Sequence, residues 1–219
     1  MLKYKIGVFI IFLFGICSIQ LVSANEPPLP LFGKVIYIDP GHGGSDPGAV
    51  YKDIEEQAIN LKISLKLEEI LAKKGAMVYL TRYGDYDLSV NYTSNRKRSD
   101  LSRRGNMINT SNCDLFLSIH LNAEESGRWK GAEAYYDPKN EENEKIAKIM
   151  QESFKKYLYS KRTYKKTNDL YLQDRIDRPG VLLEVGFLSN ASDRYLLVSE
   201  EYQTKVAEAI ANGVLQYLS

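Results

Sequence analysis

Few side chains in this sequence can do chemistry, and they sit in telling places. The 219 residues include two histidines, and each closes an apolar run of strand type. His42 follows Val35-Ile36-Tyr37-Ile38, inside Asp39-Pro40-Gly41-His42-Gly43-Gly44. His120 ends Leu115-Phe116-Leu117-Ser118-Ile119. A third run, Val181-Leu182-Leu183-Glu184-Val185-Gly186-Phe187, holds a carboxylate in apolar surroundings. Imidazole with carboxylate is the donor set of a catalytic zinc, and strand ends are where sheet enzymes place their sites. The pattern points to a metallohydrolase.

Glu56 completes the candidate metal set. On a helix starting near Glu55, at about 100° per residue, Ile59, Ile63, Leu67, Ile70 and Leu71 share one face and Glu56 lies near its centre. A first-turn carboxylate also suits the helix dipole, so spacing alone leaves two readings. His42 just upstream favours ligation by His42, Glu56 and His120, three protein ligands that leave one position open. Glu184 likewise has two readings. An ionised carboxylate in a buried strand is costly unless paired, so it is either salt-bridged, for instance to Arg82, or a general base beside an activated water. The glycines around His42 do not form a phosphate loop, because Asp46 breaks G-x-G-x-x-G and no G-K-[ST] follows.

These groups need a frame, and the sequence supplies alternating strand-like and helix-like segments. Strands are expected over Lys34–Ile38, Ala76–Thr81, Leu115–Ile119, Gly131–Tyr136 and Val181–Val185, with a short one at Leu170–Leu172. Helices are expected over Glu55–Lys74, Asp100–Thr110, Glu142–Leu158 and Glu200–Leu218. The expected fold is α/β: one domain with a mostly parallel, twisted sheet and helices on both faces. The Tyr83–Arg98 loop is longer than ordinary connections. Residues 1–24 read as a signal peptide, with a membrane anchor as the alternative: Lys3 and Lys5, an apolar run from Ile6, then Val22-Ser23-Ala24. Residues 25–33 read as a proline-rich linker and 34–219 as the catalytic domain.

Composition narrows the partners. The formal charge is +1, or −1 without Lys3 and Lys5, which gives no field for nucleic acid. After Cys17 only Cys113 remains, so an exported chain would have no internal disulfide. The basic clusters Arg96-Lys97-Arg98, Arg103-Arg104 and Lys161-Arg162 with Lys165-Lys166 read as solvated faces. Trp129 reads as a packed or exposed ring, with sugar stacking as the alternative.

The sequence resembles the zinc-dependent N-acetylmuramoyl-L-alanine amidases of the amidase-3 family. The resemblance lies in Ile38 to Gly44, Glu56-Gln57-Ala58-Ile59-Asn60-Leu61, Leu80-Thr81-Arg82, Ser118 to Ala123, and Glu184 to Asn190, in that order. It implies a six-stranded sheet, Zn2+ on His42, Glu56 and His120, catalysis by Glu184, and substrate contacts from Asn122 and Arg82. It further implies hydrolysis of the amide joining muramic acid to L-alanine in peptidoglycan. A closer similarity, at Pro30 to Lys34, Trp129 to Ala132 and Glu142 to Lys148, is to the germination-specific group. That group removes stem peptides so that muramic-δ-lactam can form in spore cortex. The implied location is extracytoplasmic, secreted or membrane-anchored, around the developing spore. With no wall-binding repeat in the sequence, a protein partner or the membrane segment is expected to localise or activate the enzyme. Two alternatives stand beside this reading: a zinc peptidase cutting within the stem peptide, and a non-catalytic wall-binding domain.

Overall fold

Alternation of side chains along the strands decides which groups face the core and which are left to form a site. The computed structural model describes residues 29–90, 92–168 and 170–219. In chain order it contains β1 (Val35–Pro40), β2 (Val50–Tyr51), β3 (Ile54–Glu55), α1 (Glu56–Ala72), β4 (Met77–Leu80), α2 (Arg96–Thr110) and β5 (Leu115–Asn122). Then follow β6 (Glu133–Tyr136), α3 (Glu141–Leu158), β7 (Lys165–Lys166), a 3-10 turn (Gln173–Arg175), β8 (Gly180–Phe187), α4 (Ala191–Leu197) and α5 (Glu200–Leu218). The main sheet has six strands in the order β4-β1-β5-β8-β6-β7. Strands β4, β1, β5 and β8 run parallel, while β6 is antiparallel to β8 and parallel to β7. This is a single-domain α/β fold with a mostly parallel six-stranded sheet.

Two apolar clusters lie on opposite faces. On one face Ile36, Ile38, Leu115, Leu117, Ile119, Leu121, Val181, Leu183 and Val185 pack with α1, α3 and α5. On the other face Tyr37 and Phe116 meet Ile108 of α2, with Cys113, Leu172 and Ile176. Helices therefore cover both faces, and the small second cluster leaves part of its face free. Because successive strand residues point to opposite sides, that face also receives Ser118, His120 and Asn122 from β5 and Leu182 and Glu184 from β8. His120 pairs in register with Glu184, and Glu184 with Glu133 on β6, so three functional-type side chains line up across three strands.

The structure corrects several expected elements. Leu170–Leu172 forms no strand. It is a turn entering the 3-10 segment, and Leu172 is drawn into the smaller cluster, while the sheet's outer strand is Lys165–Lys166. Helix α2 starts earlier than expected, at Arg96, because the Asn95 side chain accepts a bond from the Arg98 amide. Helix α4 is too short to show a hydrophobic period and is set by its cap, Asn190, which accepts from Ser192 and Asp193 amides. The leader expected over residues 1–24 lies outside the described residues. Of the linker expected over 25–33, Leu31 is fully buried among the core residues and its amide donates to Lys74 O at 3.0 Å. Among the described residues, no helix is long and apolar enough to cross a membrane.

Candidate metal and catalytic site

His42, Glu56 and His120 converge at the C-terminal ends of β1 and β5. One donor atom from each lies within 4.8 Å of the others. Glu56 Oε1 is the hub, 3.1 Å from His42 Nε2 and 3.0 Å from His120 Nδ1. The two imidazoles stand edge to face with centroids 4.9 Å apart. Each ligand position has its own local cause. His120 rides on the free face of β5. Glu56 opens α1 on its inward stripe, which buries Glu56, Ile59, Asn60, Ile63, Leu67 and Leu71 together. His42 sits in a loop at φ 63°, a conformation that non-glycine residues adopt rarely.

Several contacts hold this strained loop. Arg82 is fully buried and gives its donors to main-chain carbonyls: Pro40, Gly41, Gln57 and Gly84, at 2.8–3.0 Å. That places Arg82 in the scaffold, where it has no solvent-facing atom to offer a substrate, and it makes no ion pair with Glu184. Arg104 is buried as well and donates to Asp100, Asp39, Pro40 O and His42 O. The expectation that Arg104 belongs to a solvated face is thus wrong, since loop carbonyls at this strained turn need donors that water cannot reach. The Tyr83–Arg98 stretch contributes too: Asp85 accepts from the Gly44 amide at 2.7 Å and Asp87 from Ser45 Oγ at 3.0 Å. At Gly41 a β-carbon would come within 2.2 Å of the His120 ring, so only glycine lets the loop pass there.

The electrostatics suit a cation. Burial alone would raise Glu56, but hydrogen bonds and charge from His120 and His42 outweigh it and hold the carboxyl well below its usual range. Amides of Leu121 and Ala49 also donate to it, at 3.0 and 2.8 Å. Burial would lower His42, yet Glu56 on one side and Asp46 on the other raise it to about 8. Asp46 Oδ2 lies 3.0 Å from His42 Nδ1, the nitrogen turned away from Glu56, as an orienting carboxylate would. Two imidazoles and an ionised carboxylate are hard-to-borderline donors suited to a divalent ion with an open position. The donor set fits a metal.

Glu184 is on the neighbouring strand. Its Oε2 is buried without a hydrogen-bond partner. Burial pushes its carboxyl up to about 7, with the charges of Glu56 and Glu133 adding and His120 and His42 opposing. A carboxyl near 7 with a free oxygen has the properties of a general base. Asn122, two residues beyond His120 on the same face, lines an adjacent cavity. Sequence reasoning missed Glu133, a fully buried carboxylate bonded to Arg162 at 2.8 and 3.0 Å. The signal was available, because Glu133 interrupts an alternating apolar strand just as Glu184 does. Arg162 was likewise expected on a solvated face, but its guanidinium is enclosed by this ion pair.

Comparison with known proteins agrees with this architecture. The family model described as N-acetylmuramoyl-L-alanine amidase matches residues 36–216. The chain belongs to this amidase family, and its fold and enzyme class are those of the family. The germination-specific N-acetylmuramoyl-L-alanine amidase of Bacillus subtilis (strain 168) is 41% identical over 223 residues, covering 100% of this chain and 94% of the relative. The CwlD amidase of Clostridioides difficile, solved in complex with the GerS lipoprotein, superposes with a TM-score of 0.80 at 39% identity, over 84% of this chain and 98% of that one. The catalytic domain of CwlV from Bacillus (Paenibacillus) polymyxa var. colistinus gives a TM-score of 0.74 at 33% identity, over 84% and 98%.

Proposed function

We propose that this protein hydrolyses the amide between the muramic-acid lactyl group and L-alanine in peptidoglycan, with Zn2+ held by His42, Glu56 and His120. The observation that carries this reading is the convergence of those three donors beside a register-paired Glu184 whose Oε2 has no partner. Zinc, when bound, supplies Lewis acidity at the amide carbonyl and acidifies a water. Glu184 takes a proton from the attacking water and returns it to the alanine nitrogen as the C–N bond breaks. A water proton thus ends on the leaving amine, and the hydroxyl on the lactyl carboxyl. Asp46 Oδ2, 3.0 Å from His42 Nδ1, favours a proton on that nitrogen and so leaves Nε2 free to ligate.

The B. subtilis relative is named germination-specific, and we assign this chain the same setting. It would act outside the cytoplasm on spore cortex, freeing muramic acid to close to muramic-δ-lactam. The lipoprotein bound to the C. difficile amidase motivates a protein partner here as well. The test is digestion of cortex-type and vegetative peptidoglycan with and without chelator. Chelator-sensitive release of free lactyl groups and N-terminal alanine, preferred on cortex, is expected. Cleavage confined to bonds within the stem peptide would show a peptidase instead, and binding without product would show a wall-binding domain.

Proton competition gives a second check on the metal assignment. Imidazole must be neutral to ligate. With His42 raised to about 8, apparent zinc affinity should climb about tenfold per pH unit from 6 to 8 and level off above. The sign for stability is opposite. In the metal-free protein the protonated His42 contact stabilises the fold fully below about pH 6.5 and is lost as pH rises through about 8. A competition titration with a chromophoric chelator reads the affinity; a flat profile between pH 6 and 8 would remove His42 from the ligand set.

A further inference from the structure

The turn that leads into β1 is apolar, yet only one of its large side chains points inward. Leu31 is fully buried in the main core, and its amide donates to Lys74 O at 3.0 Å. Two reverse turns surround it: the Phe32 amide donates to Leu29 O and the Lys34 amide to Leu31 O, each at 3.0 Å. Gly33, at φ 79°, lets the chain leave this turn for β1. Burying Leu31 puts its neighbours outside, Leu29 at 49% and Phe32 at 80% exposure. Both lie against Gly75, where an added β-carbon would be 2.9 Å from Leu29 Cβ and 3.3 Å from Phe32 Cα. Met77, 49% exposed, follows on the edge strand β4, and its amide donates to Lys34 O at 2.9 Å. Single exposed apolar side chains are ordinary, but these three are joined through one turn. Lysines flank them: Lys34 near Asp114, Lys73 paired with Glu69, and exposed Lys74.

We infer that this end of the domain rests on a phospholipid bilayer, with Leu29 and Phe32 at the lipid interface and the apolar leader as the tether. The chain that precedes Leu29 argues for lipid over a protein partner. Its Ile6–Val22 stretch is largely apolar, and Lys3 and Lys5 at the head of that stretch favour the orientation that leaves the domain outside the cytoplasm. Val22 and Leu29 are seven residues apart, a span of at most about 25 Å when fully extended. A bilayer holding the stretch is therefore always close to this turn. Interfacial side chains need to enter only about 5–10 Å, and lysine stems reach from such a surface to the headgroups. Direction agrees. The turn lies where β1 and β4 begin, Val35 pairing with Met77, whereas His42 and His120 stand at the C-terminal ends of β1 and β5. The six residues of β1 separate the two ends, so at about 3.3 Å per residue the metal site lies roughly 20 Å from the lipid and faces away from it. The inference stands apart from the amidase reading, since it uses neither metal nor substrate.

Fluorescence quenching of the full chain tests it, in vesicles of phosphatidylglycerol and phosphatidylcholine brominated on the acyl chain. In a Trp129→Phe background, which removes the sole tryptophan, one tryptophan is introduced at a time by Phe32→Trp, Met77→Trp or Tyr195→Trp. Tyr195 is the control, 79% exposed on α4 beyond the C-terminal end of β8 and so at the metal-site end. Brominated lipid is expected to reduce emission of Phe32→Trp roughly twofold or more and to leave Tyr195→Trp unchanged. Met77→Trp, on a separate element, is expected to respond as Phe32→Trp does and decides the matter if that variant does not fold. The leader by itself can hold the chain on vesicles, so the contrast between the two ends is what counts. Absence of quenching at position 32, or equal quenching at position 195, would overturn the inference, as would a chain that stays in the supernatant when vesicles are sedimented. A blue shift at position 32 that needs no vesicles and grows with protein concentration would assign the patch to a second copy of the chain instead.

Discussion

Glu184→Gln is expected to lower amide hydrolysis by about 10³-fold or more, the upper range for removing a general base, while the protein stays folded and still binds zinc. The stability of the metal-free variant is the more diagnostic measurement. In the wild type the folded-state pKa of Glu184 is raised to about 7 from 4.5. The unfolded chain therefore ionises first, and stability falls as pH rises from about 4.5 to about 7. At roughly 1.4 kcal/mol per unit the loss is on the order of 3–4 kcal/mol. Glutamine cannot ionise, so urea unfolding of the chelated variant should show a smaller loss than the wild type between pH 5 and 8. A variant keeping more than a tenth of wild-type kcat would remove Glu184 from catalysis. One that keeps the wild-type pH slope would show that its carboxyl is not the buried, isolated group found here.

Arg104→Met is expected to be the most damaging change outside the ligand set. It leaves Asp39 and Asp100 without their guanidinium in a site where Asp39 is almost wholly buried. Losing one partner of a buried pair costs about 3–5 kcal/mol. For a chain of this size that is a fall in Tm of roughly 10 °C. His42 O and Pro40 O lose donors in the same change, so zinc affinity should fall together with stability. Arg104→Lys should rescue little, because an ammonium cannot span the acceptors that the guanidinium fork reaches. The neighbouring Arg103 is exposed, and Arg103→Met should stay within about 0.5 kcal/mol. Thermal melts of the pair settle it: equal losses would mean that the buried network is not what Arg104 contributes.

The contrast between these adjacent arginines marks how far a linear reading goes. Asp100, Arg104 and Ile108 repeat every four residues along α2, so the inward stripe was there to be read, yet arginine is usually a surface residue and was assigned as one. Arg162 is the same case, and although Glu133 stands out within its strand, no neighbour in sequence pairs with it. Its partners come from a segment about 30 residues away, joined only when β7 docks on β6.

What the chain alone determined is the local chemistry and its frame. Two histidines at strand ends, Glu56 on an apolar helical stripe and a carboxylate inside a strand are period-2 and period-3.6 facts. They follow from backbone geometry that does not depend on distant contacts. Tertiary structure alone decided the rest: that Glu184 pairs in register with His120 and Glu133, and that Arg82 and Arg104 brace a left-handed loop from within. Each of these depends on strand order and on which charges lose water when layers pack. Neither is encoded in local periodicity, because burial belongs to the assembled sheet and helices rather than to any one segment.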